Sequence, residues 1–201
     1  MVTKRYKKLS FCCALMNRGE NFSNLYSSLQ HMLGEDIELV VADFGSNDID
    51  LNRFNISHVL LELPFNKAKG LNRAAAKSSG DVVFFIDADM IAPPNFDKMI
   101  LSNVKTGQAY FPTCFSLYQD KPRKIDESCG WWRETGYGNC GFTAKDFKNI
   151  GRWNENFKKW GGEDDDMVVR AYDNLSVIRD HCDGFFHSWH PNDLEFKERY
   201  Y

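Results

Sequence analysis

The chain has 201 residues, of which 43% are hydrophobic, 26% charged and 14% aromatic, and 25 Lys plus Arg against 28 Asp plus Glu leave a net charge of −3. That composition is globular with enough chain for one core, and it excludes disordered, collagen-like and low-complexity proteins. The mild acidity argues against nucleic acid as the main partner, which usually needs a basic face.

The first residues carry a short basic run, Lys4, Arg5, Lys7 and Lys8, suited to a peripheral contact with an anionic membrane surface or simply to a solvated terminus. Leu9–Met16 is a short apolar run that predicts a buried strand. Phe22, Leu25, Leu29 and Met32 fall at helical spacing, and Gly34 stops that helix. Ile37–Phe44 is rich in β-formers and ends in the turn cluster Gly45-Ser46-Asn47-Asp48. Val59–Leu63 reads as a strand, and Lys67–Ser78 reads as a helix with Ala68, Leu71 and Ala75 on one stripe. Val82–Ile86 is apolar throughout, the mark of a strand buried on both faces. Pro93-Pro94 opens a helix near Asn95–Val104, and Ala109–Phe115 is a further strand. Lys121–Cys140 is turn-rich and long enough for a mobile lid, with Trp131, Gly136 and Gly138 inside it. Glu163–Tyr172 is helical, and Ser176–Arg179 is a last strand before an aromatic, His-rich tail.

Alternating strands and helices with apolar strands predict an α/β fold whose central sheet is mostly parallel and flanked by helices. No repeat or Pro/Gly/Ser-rich linker divides the chain, so one domain over residues 1–201 is expected. No stretch reaches ~18 apolar residues, so no transmembrane segment is expected. The six cysteines (Cys12, Cys13, Cys114, Cys129, Cys140, Cys182) form no Cys-x-x-Cys pair and read as reduced core thiols. With no signal-peptide pattern at the start, the expected compartment is cytoplasmic, where the sequons at Asn21, Asn55 and Asn174 carry no meaning.

Parallel sheets bind ligands outside the carboxyl ends of their strands. The polar residues that follow the predicted strands are Asn17 and Arg18, Asp43, then Phe65, Asn66 and Lys67, then Asp87 and Asp89. They supply cations for phosphate and carboxylates for a metal or a ribose. Asp87-Ala88-Asp89 places two hard oxygen ligands at one strand end, which suits Mg²⁺ or Mn²⁺. Trp160-Gly161-Gly162-Glu163-Asp164-Asp165-Asp166 joins a flat ring for a sugar, glycines that admit a ligand to the backbone, and acids at a helix start, one of which can act as a general base. His187 and His190, near the end of the chain, can complete the shell of a metal at Asp-x-Asp, whereas the His181-Cys182 spacing fits no standard zinc pattern. Arg18 and Lys67 can hold a pyrophosphate, while Lys69 reads as surface charge. No P-loop, dinucleotide fingerprint or nucleophile elbow is present.

These residues resemble a known family. Phe65-Asn66-Lys67-Ala68-Lys69-Gly70-Leu71-Asn72, then Phe84-Phe85-Ile86-Asp87-Ala88-Asp89-Met90, then Gly141-Phe142-Thr143-Ala144 through Trp160–Asp166, are similar to the catalytic domains of β-1,4-galactosyltransferases and of the N-acetylgalactosaminyltransferase domains of chondroitin synthases. Asn17-Arg18 and Asp43-Phe44-Gly45-Ser46 resemble the wider GT-A glycosyltransferases. The resemblance implies a GT-A, Rossmann-like nucleotide-sugar-binding domain that moves a sugar from UDP-Gal, UDP-GalNAc, UDP-Glc or UDP-GlcNAc to a saccharide acceptor with Mn²⁺ or Mg²⁺. It implies that Arg18, Asp43, Phe65 and Lys67 hold the nucleotide, that Asp87 sits near ribose and metal, and that Asp89 binds the metal. It gives Trp160 to acceptor or donor sugar, with Gly162 and Asp165 beside the substrate. It makes Asp164 the base, with Glu163 as a second catalytic carboxylate or a holder of a sugar hydroxyl. In the galactosyltransferases a Met and a His three residues later complete the metal shell; His187 and His190 have that spacing, with His in place of Met. An Asp at position 164 favours inversion, since retaining relatives tend to carry Asn there. A nucleotidyltransferase acting on sugar phosphates would want a Gly-rich, Lys-containing loop after the first strand, where this chain has Met16-Asn17-Arg18-Gly19-Glu20. A non-catalytic carbohydrate-binding module would need neither Asp-x-Asp nor the acid cluster.

Overall fold

The computed structural model describes residues 8–158 and 161–191. A seven-stranded sheet forms its centre. In chain order the elements are β1 (Leu9–Leu15), α1 (Gly19–Leu29), β2 (Ile37–Asp43), a 3₁₀ turn (Leu51–Arg53), β3 (Ser57–Leu60), α2 (Lys67–Lys77), β4 (Val82–Phe85), β5 (Met90–Ile91), α3 (Phe96–Asn103), β6 (Gln108–Tyr110), β7 (Thr113–Leu117), β8 (Gly130–Trp132), β9 (Cys140–Thr143), α4 (Ala144–Asn149), α5 (Glu163–Asn174), β10 (Ser176–Ile178) and β11 (His181–His187). The large sheet runs β10-β6-β9-β4-β1-β2-β3. Its pairs are parallel except where β9 lies antiparallel to β4 and β6. The expected mostly parallel sheet is present.

Side-chain alternation on these strands divides the core in two. Leu9, Phe11, Cys13 and Leu15 of β1, with Val82 and Phe84 of β4, face α1 (Phe22, Leu25, Leu29) and α3 (Phe96, Ile100). Cys12, Val40, Ala42, Val83 and Phe85 face the other way, onto α2 (Ala68, Leu71, Ala74), α4 (Phe147) and α5 (Met167, Val168, Ala171). Helices therefore cover both faces, as unbroken apolar strands require. Phe11, Phe84 and Phe96 meet at centroid distances of 5.1 to 6.2 Å, which accounts for part of the aromatic excess. All six cysteines are buried free thiols, and burial pushes Cys114 up to about 11 and Cys182 up to about 12. Among the described residues, no helix is long and apolar enough to cross a membrane.

Three differences from the sequence reading have physical causes. Ala109–Phe115 is not one strand: Pro112 lacks an N–H, so β6 stops at Tyr110 and β7 starts at Thr113 in a different sheet. The start of the His-rich tail is itself a strand, β11 (His181–His187), whose period-two pattern is masked by a bulge near Gly184 (φ +82°) and a register shift between His181 and Phe186. The segment 121–140 contains β8, paired antiparallel to β7. These strands form a second sheet in the order β5-β11-β7-β8, which carries half of the site.

Candidate active site

The two sheets meet where β4 ends and β11 ends. β4 delivers Asp87 and Asp89 from its carboxyl end, and β11 delivers His187, with His190 three residues on. The Asp89 main chain is held to this sheet, because the Ser188 N–H donates to the Asp89 carbonyl at 2.8 Å.

One group of ligand atoms forms there. Asp89 Oδ2 lies 3.1 Å from His190 Nε2 and 3.5 Å from His187 Nε2. One ligand atom from each of the three residues lies within 4.8 Å of the others, and Asp89 Oδ1 is buried without a hydrogen-bond partner. Burial alone would raise the Asp89 carboxyl; His187 and His190 outweigh it and hold it well below the usual carboxylate range. The bond to Asp89 raises His190 against the effect of burial. The far nitrogens are oriented by the protein. His190 Nδ1 donates to the Pro191 carbonyl at 3.0 Å, which turns its Nε2 toward Asp89. His187 Nδ1 is 3.0 Å from Ser116 Oγ on the neighbouring strand. Orienting bonds of this kind are what metal-ligating histidines make. A buried oxygen without a partner beside two such imidazoles fits a divalent cation. One carboxylate with two nitrogens suits Mn²⁺ better than Mg²⁺, which prefers oxygen throughout. The structure brings both expected histidines, His187 and His190, together with Asp89.

The second group is an ion cluster. Lys67 Nζ lies 2.8 Å from Asp87 Oδ1 and 3.4 Å from Asp164 Oδ1. α2 supplies the lysine from its first residue, capped by Asn66, whose side chain accepts from the Lys69 N–H at 2.8 Å. Burial would lower Lys67, but Asp164, Asp87 and Glu163 together hold it well above its ordinary value. Burial raises Asp164, with Lys67 pulling the other way, and burial raises the enclosed Glu163 in the same sense. Asp87 is gripped from behind, its N–H donating to Asn139 Oδ1 at 2.9 Å while Asn139 Nδ2 donates to Asp87 Oδ2 at 3.4 Å. Gly138 closes over the cluster. A Cβ there would stand 2.7 Å from Lys67 Nζ and 2.9 Å from both Asp164 Oδ2 and Asp87 Oδ2, so a side chain at this position would have to displace the charged ends of the cluster.

The four acids at the start of α5 separate as successive helical positions must. Glu163 is buried, Asp164 meets Lys67, Asp165 is exposed, and Asp166 accepts from Arg170 Nε at 2.9 Å. Gly162 takes φ +91° against the Phe157 ring, so its need for glycine is met by the backbone itself. Trp160 lies outside the described residues, as do Lys4, Arg5 and Lys7.

The remaining expected residues line the ends of β1 to β3. Asp43 accepts from the Ser46 N–H and from Ser46 Oγ at 2.6 Å. Ser46 Oγ also receives the Asn17 N–H at 2.9 Å, and Asn17 Oδ1 receives the Asn47 N–H at 2.9 Å, so the loops after β1 and β2 are tied together. Phe65 packs edge-on to Phe44 at 4.9 Å. The positive charge of Arg18 acts against protonation of His190. Asp87 points to Lys67 and Asn139 and is not in the group of three ligand atoms.

Sequence reasoning missed Ser116, Asn139 and Arg179. Arg179 donates to the carbonyls of Phe111, Arg133, Glu134 and Gly136 and lies 4.5 Å over the Tyr137 ring, so it fixes the chain leading to Gly138 and Asn139. Neither Ser116 nor Arg179 belongs to a local motif; only the pairing of β7 with β11 and the loop closure bring them in.

The family described as chondroitin N-acetylgalactosaminyltransferase matches residues 25–198. The chain is 27% identical to chondroitin sulfate N-acetylgalactosaminyltransferase 1 of Homo sapiens, with 88% of this chain aligned to 39% of that protein. It is 32% identical to chondroitin sulfate N-acetylgalactosaminyltransferase 2 of Homo sapiens, with 78% of this chain aligned to 32% of that one. The chain thus spans about a third of the length of these curated relatives. Among solved structures, S. aureus TarS 1–349 in complex with UDP-GlcNAc is similar with a TM-score of 0.69 at 16% identity, over 92% of this chain and 60% of that one. That likeness is one of fold, and the fold is the GT-A glycosyltransferase arrangement of a central sheet between helices.

Proposed function

The chain belongs to the chondroitin N-acetylgalactosaminyltransferase family, and on that premise we propose that residues 1–201 act as one catalytic unit that transfers a sugar from a UDP-sugar to a hydroxyl of a saccharide acceptor. UDP-GalNAc, UDP-Gal, UDP-Glc and UDP-GlcNAc are the donors to try. The observation that carries the reading is the Asp89 carboxylate, whose Oδ2 faces the Nε2 atoms of His187 and His190 while its Oδ1 is buried without a partner. These three residues would hold a divalent cation, Mn²⁺ by their donor set, which when bound supplies positive charge against the diphosphate that departs.

The chain's own residues do the rest. Arg18, Asp43 and Phe65 line the nucleotide side at the ends of β1 to β3. Asp164 is the base: it takes the acceptor hydroxyl proton as the new oxygen–carbon bond forms and the bond to the diphosphate oxygen breaks, its electron pair leaving with UDP. Attack from the side opposite the diphosphate inverts the anomeric centre. Lys67 opposes the rise that burial imposes on Asp164 and holds it near Asp87, which supports a base at the edge of the donor site. Glu163, buried next to it, is placed to accept from a sugar hydroxyl.

UDP release, followed with each donor, Mn²⁺ and a saccharide panel, tests the reading. Release that is abolished by EDTA, restored by Mn²⁺ and lost in Asp89→Ala and in Asp164→Asn is expected. Release that survives both substitutions overturns it.

A further inference from the structure

Arg133 follows β8 directly, and its N–H donates to the Cys114 carbonyl at 2.9 Å, which carries the β7–β8 ladder on by one residue. In that ladder Trp132 is level with Phe115 and Trp131 with Ser116, and Ser116 is level with His187 on β11. Trp132 packs with Phe115, Leu117 and Phe186 on one face of the small sheet. Alternation then puts Arg133 on the other face, with Cys114, Ser116 and His187. That is the face of the ligand atoms, because Ser116 Oγ is 3.0 Å from His187 Nδ1. With ~4.8 Å between strands and ~3.4 Å per residue, the Arg133 and His187 main chains stand about 12 Å apart. The stem of Arg133 lies on the loop that covers the Lys67 cluster. A Cβ on Gly136 would stand 2.7 Å from Arg133 Cδ, and Gly138, two residues on, lies against Lys67, Asp87 and Asp164. The buried Cys114 thiol feels the charge of Arg133 and, in the opposite sense, the charges of Asp89 and Asp87, so the guanidinium shares one neighbourhood with both aspartates.

Arg133 is half-buried, and its guanidinium has no hydrogen bond or ion pair among the described residues. Two other cations of this region are occupied. Lys67 is held by Asp87 and Asp164, and Arg179 donates to the carbonyls of Phe111, Arg133, Glu134 and Gly136. A partly enclosed guanidinium without an anion is costly, and a ligand that brings one removes that cost. The proposed reaction makes such an anion. UDP leaves with more negative charge than the UDP-sugar carried, since the bond that breaks delivers its electron pair to a diphosphate oxygen. A divalent cation beside Asp89 does not cancel all of that charge. A guanidinium meets phosphate with two parallel N–H bonds.

We propose that Arg133 is a further catalytic residue of the transfer, whose guanidinium binds the diphosphate of the donor and holds the charge that grows there as the sugar leaves. This rests on the chain being a UDP-sugar transferase, and it assigns the cation that assists the metal at the leaving group.

The test uses the full chain with Mn²⁺ and compares wild type with Arg133→Met and Arg133→Lys. UDP affinity is read by calorimetry and uridine affinity by saturation-transfer NMR. Arg133→Met should weaken UDP by about tenfold or more (~1.4 kcal/mol), while uridine and Mn²⁺ affinity move by less than about twofold, since the contact removed is to phosphate. Arg133→Lys keeps the charge but not the paired N–H bonds, and it should recover part of the loss. With a donor that turns over, kcat should fall by about 10²-fold in Arg133→Met, the scale of one lost group that stabilises transition-state charge. Thermal melting and Mn²⁺ affinity report that each variant is folded, and Arg133→Gln carries the same expectation where Arg133→Met melts early. Unchanged UDP affinity overturns the assignment, as does an equal loss for UDP and uridine. A variant that alters only the KM for a carboxylate-bearing acceptor also overturns it and gives the guanidinium to the acceptor instead. Failure of the transferase reading is distinct: wild-type protein then neither binds UDP nor releases it from any donor, and this assignment falls with it.

Discussion

Asp87 and Asp89 leave the same strand two residues apart, yet they stand in two regions of opposite character. Around Asp87 the charges close on themselves: Lys67 lies between two carboxylates, Asn139 satisfies the aspartate from behind, and Gly138 seals the top. Around Asp89 the chemistry is open. Oδ1 is buried with no partner, and two imidazoles, held by Ser116 and Pro191, turn their Nε2 atoms to Oδ2. A protein rarely leaves a buried carboxylate oxygen unmet unless something outside the chain completes it. The Asp-x-Asp pair is thus not two copies of one function. One aspartate pairs with the lysine that meets Asp164, and the other stands with two imidazoles, where the proposed cation would sit.

Breaking the open region should cost most. Asp89→Ala is expected to remove Mn²⁺ binding in calorimetry and to lower transfer by about 10³-fold, the scale of losing electrostatic stabilisation of a leaving group. Fold stability by thermal melting should hold, because the Asp89 side chain pairs with His187 and His190 and is a member of neither hydrophobic core. A variant that keeps both Mn²⁺ binding and activity would erase the difference between the regions.

Within the closed region, Asp164→Asn should lower kcat by about 10² to 10⁴-fold while leaving Mn²⁺ and UDP affinity intact. Loss of metal binding in this variant would mean that the two regions are one site. The next effect concerns pH. Burial raises Asp164 above the ordinary aspartate value of 3.8, and Lys67 opposes that rise. The base works only when ionised, so activity falls as pH drops through the raised value, and the acid limb should lie above that of a free aspartate. Lys67→Met removes the opposing charge, and the limb should move to still higher pH. A limb that stays in place would separate Lys67 from the base. The same substitution should leave the Mn²⁺ affinity of the open region unchanged when measured well above the limb.

The smallest expected effect falls on an orienting bond. Ser116→Ala frees His187 Nδ1 and should weaken Mn²⁺ binding by about 10- to 100-fold without altering the acid limb. No change in Mn²⁺ affinity would leave the His187 orientation to the strand alone.

The large sheet was legible because its strands are continuous apolar runs and its loops end in turn residues. Leu9–Met16, Ile37–Phe44 and Val82–Ile86 each lie within a residue of β1, β2 and β4. The small sheet was not. Pro112 cuts one apolar run into strands of two sheets, Gly184 hides the period of β11, and β8 is three residues inside a turn-rich stretch. The site divides along the same line. Asp87, Asp89 and Lys67 follow from strand and helix ends, whereas the choice of Asp164 among the four acids of α5 came from a resemblance. His187 and His190 were reached by their spacing together with a resemblance. Ser116, Asn139 and Arg179 act through long-range pairing that no local pattern announces. The division of labour between Asp87 and Asp89 was also hidden, because it depends on a lysine and an asparagine approaching from α2 and from the chain ahead of β9.

The central claim is that a cation completes the Asp89, His187 and His190 group while the Lys67 cluster stays closed. Pulsed electron paramagnetic resonance of the wild-type chain loaded with one equivalent of Mn²⁺ reads this without any need for activity. Coupling to ¹⁴N of directly bound imidazole is expected, diminished in His187→Ala and in His190→Ala and unchanged in Lys67→Met. Bound Mn²⁺ with no ¹⁴N coupling, or coupling that survives loss of both histidines, would contradict it.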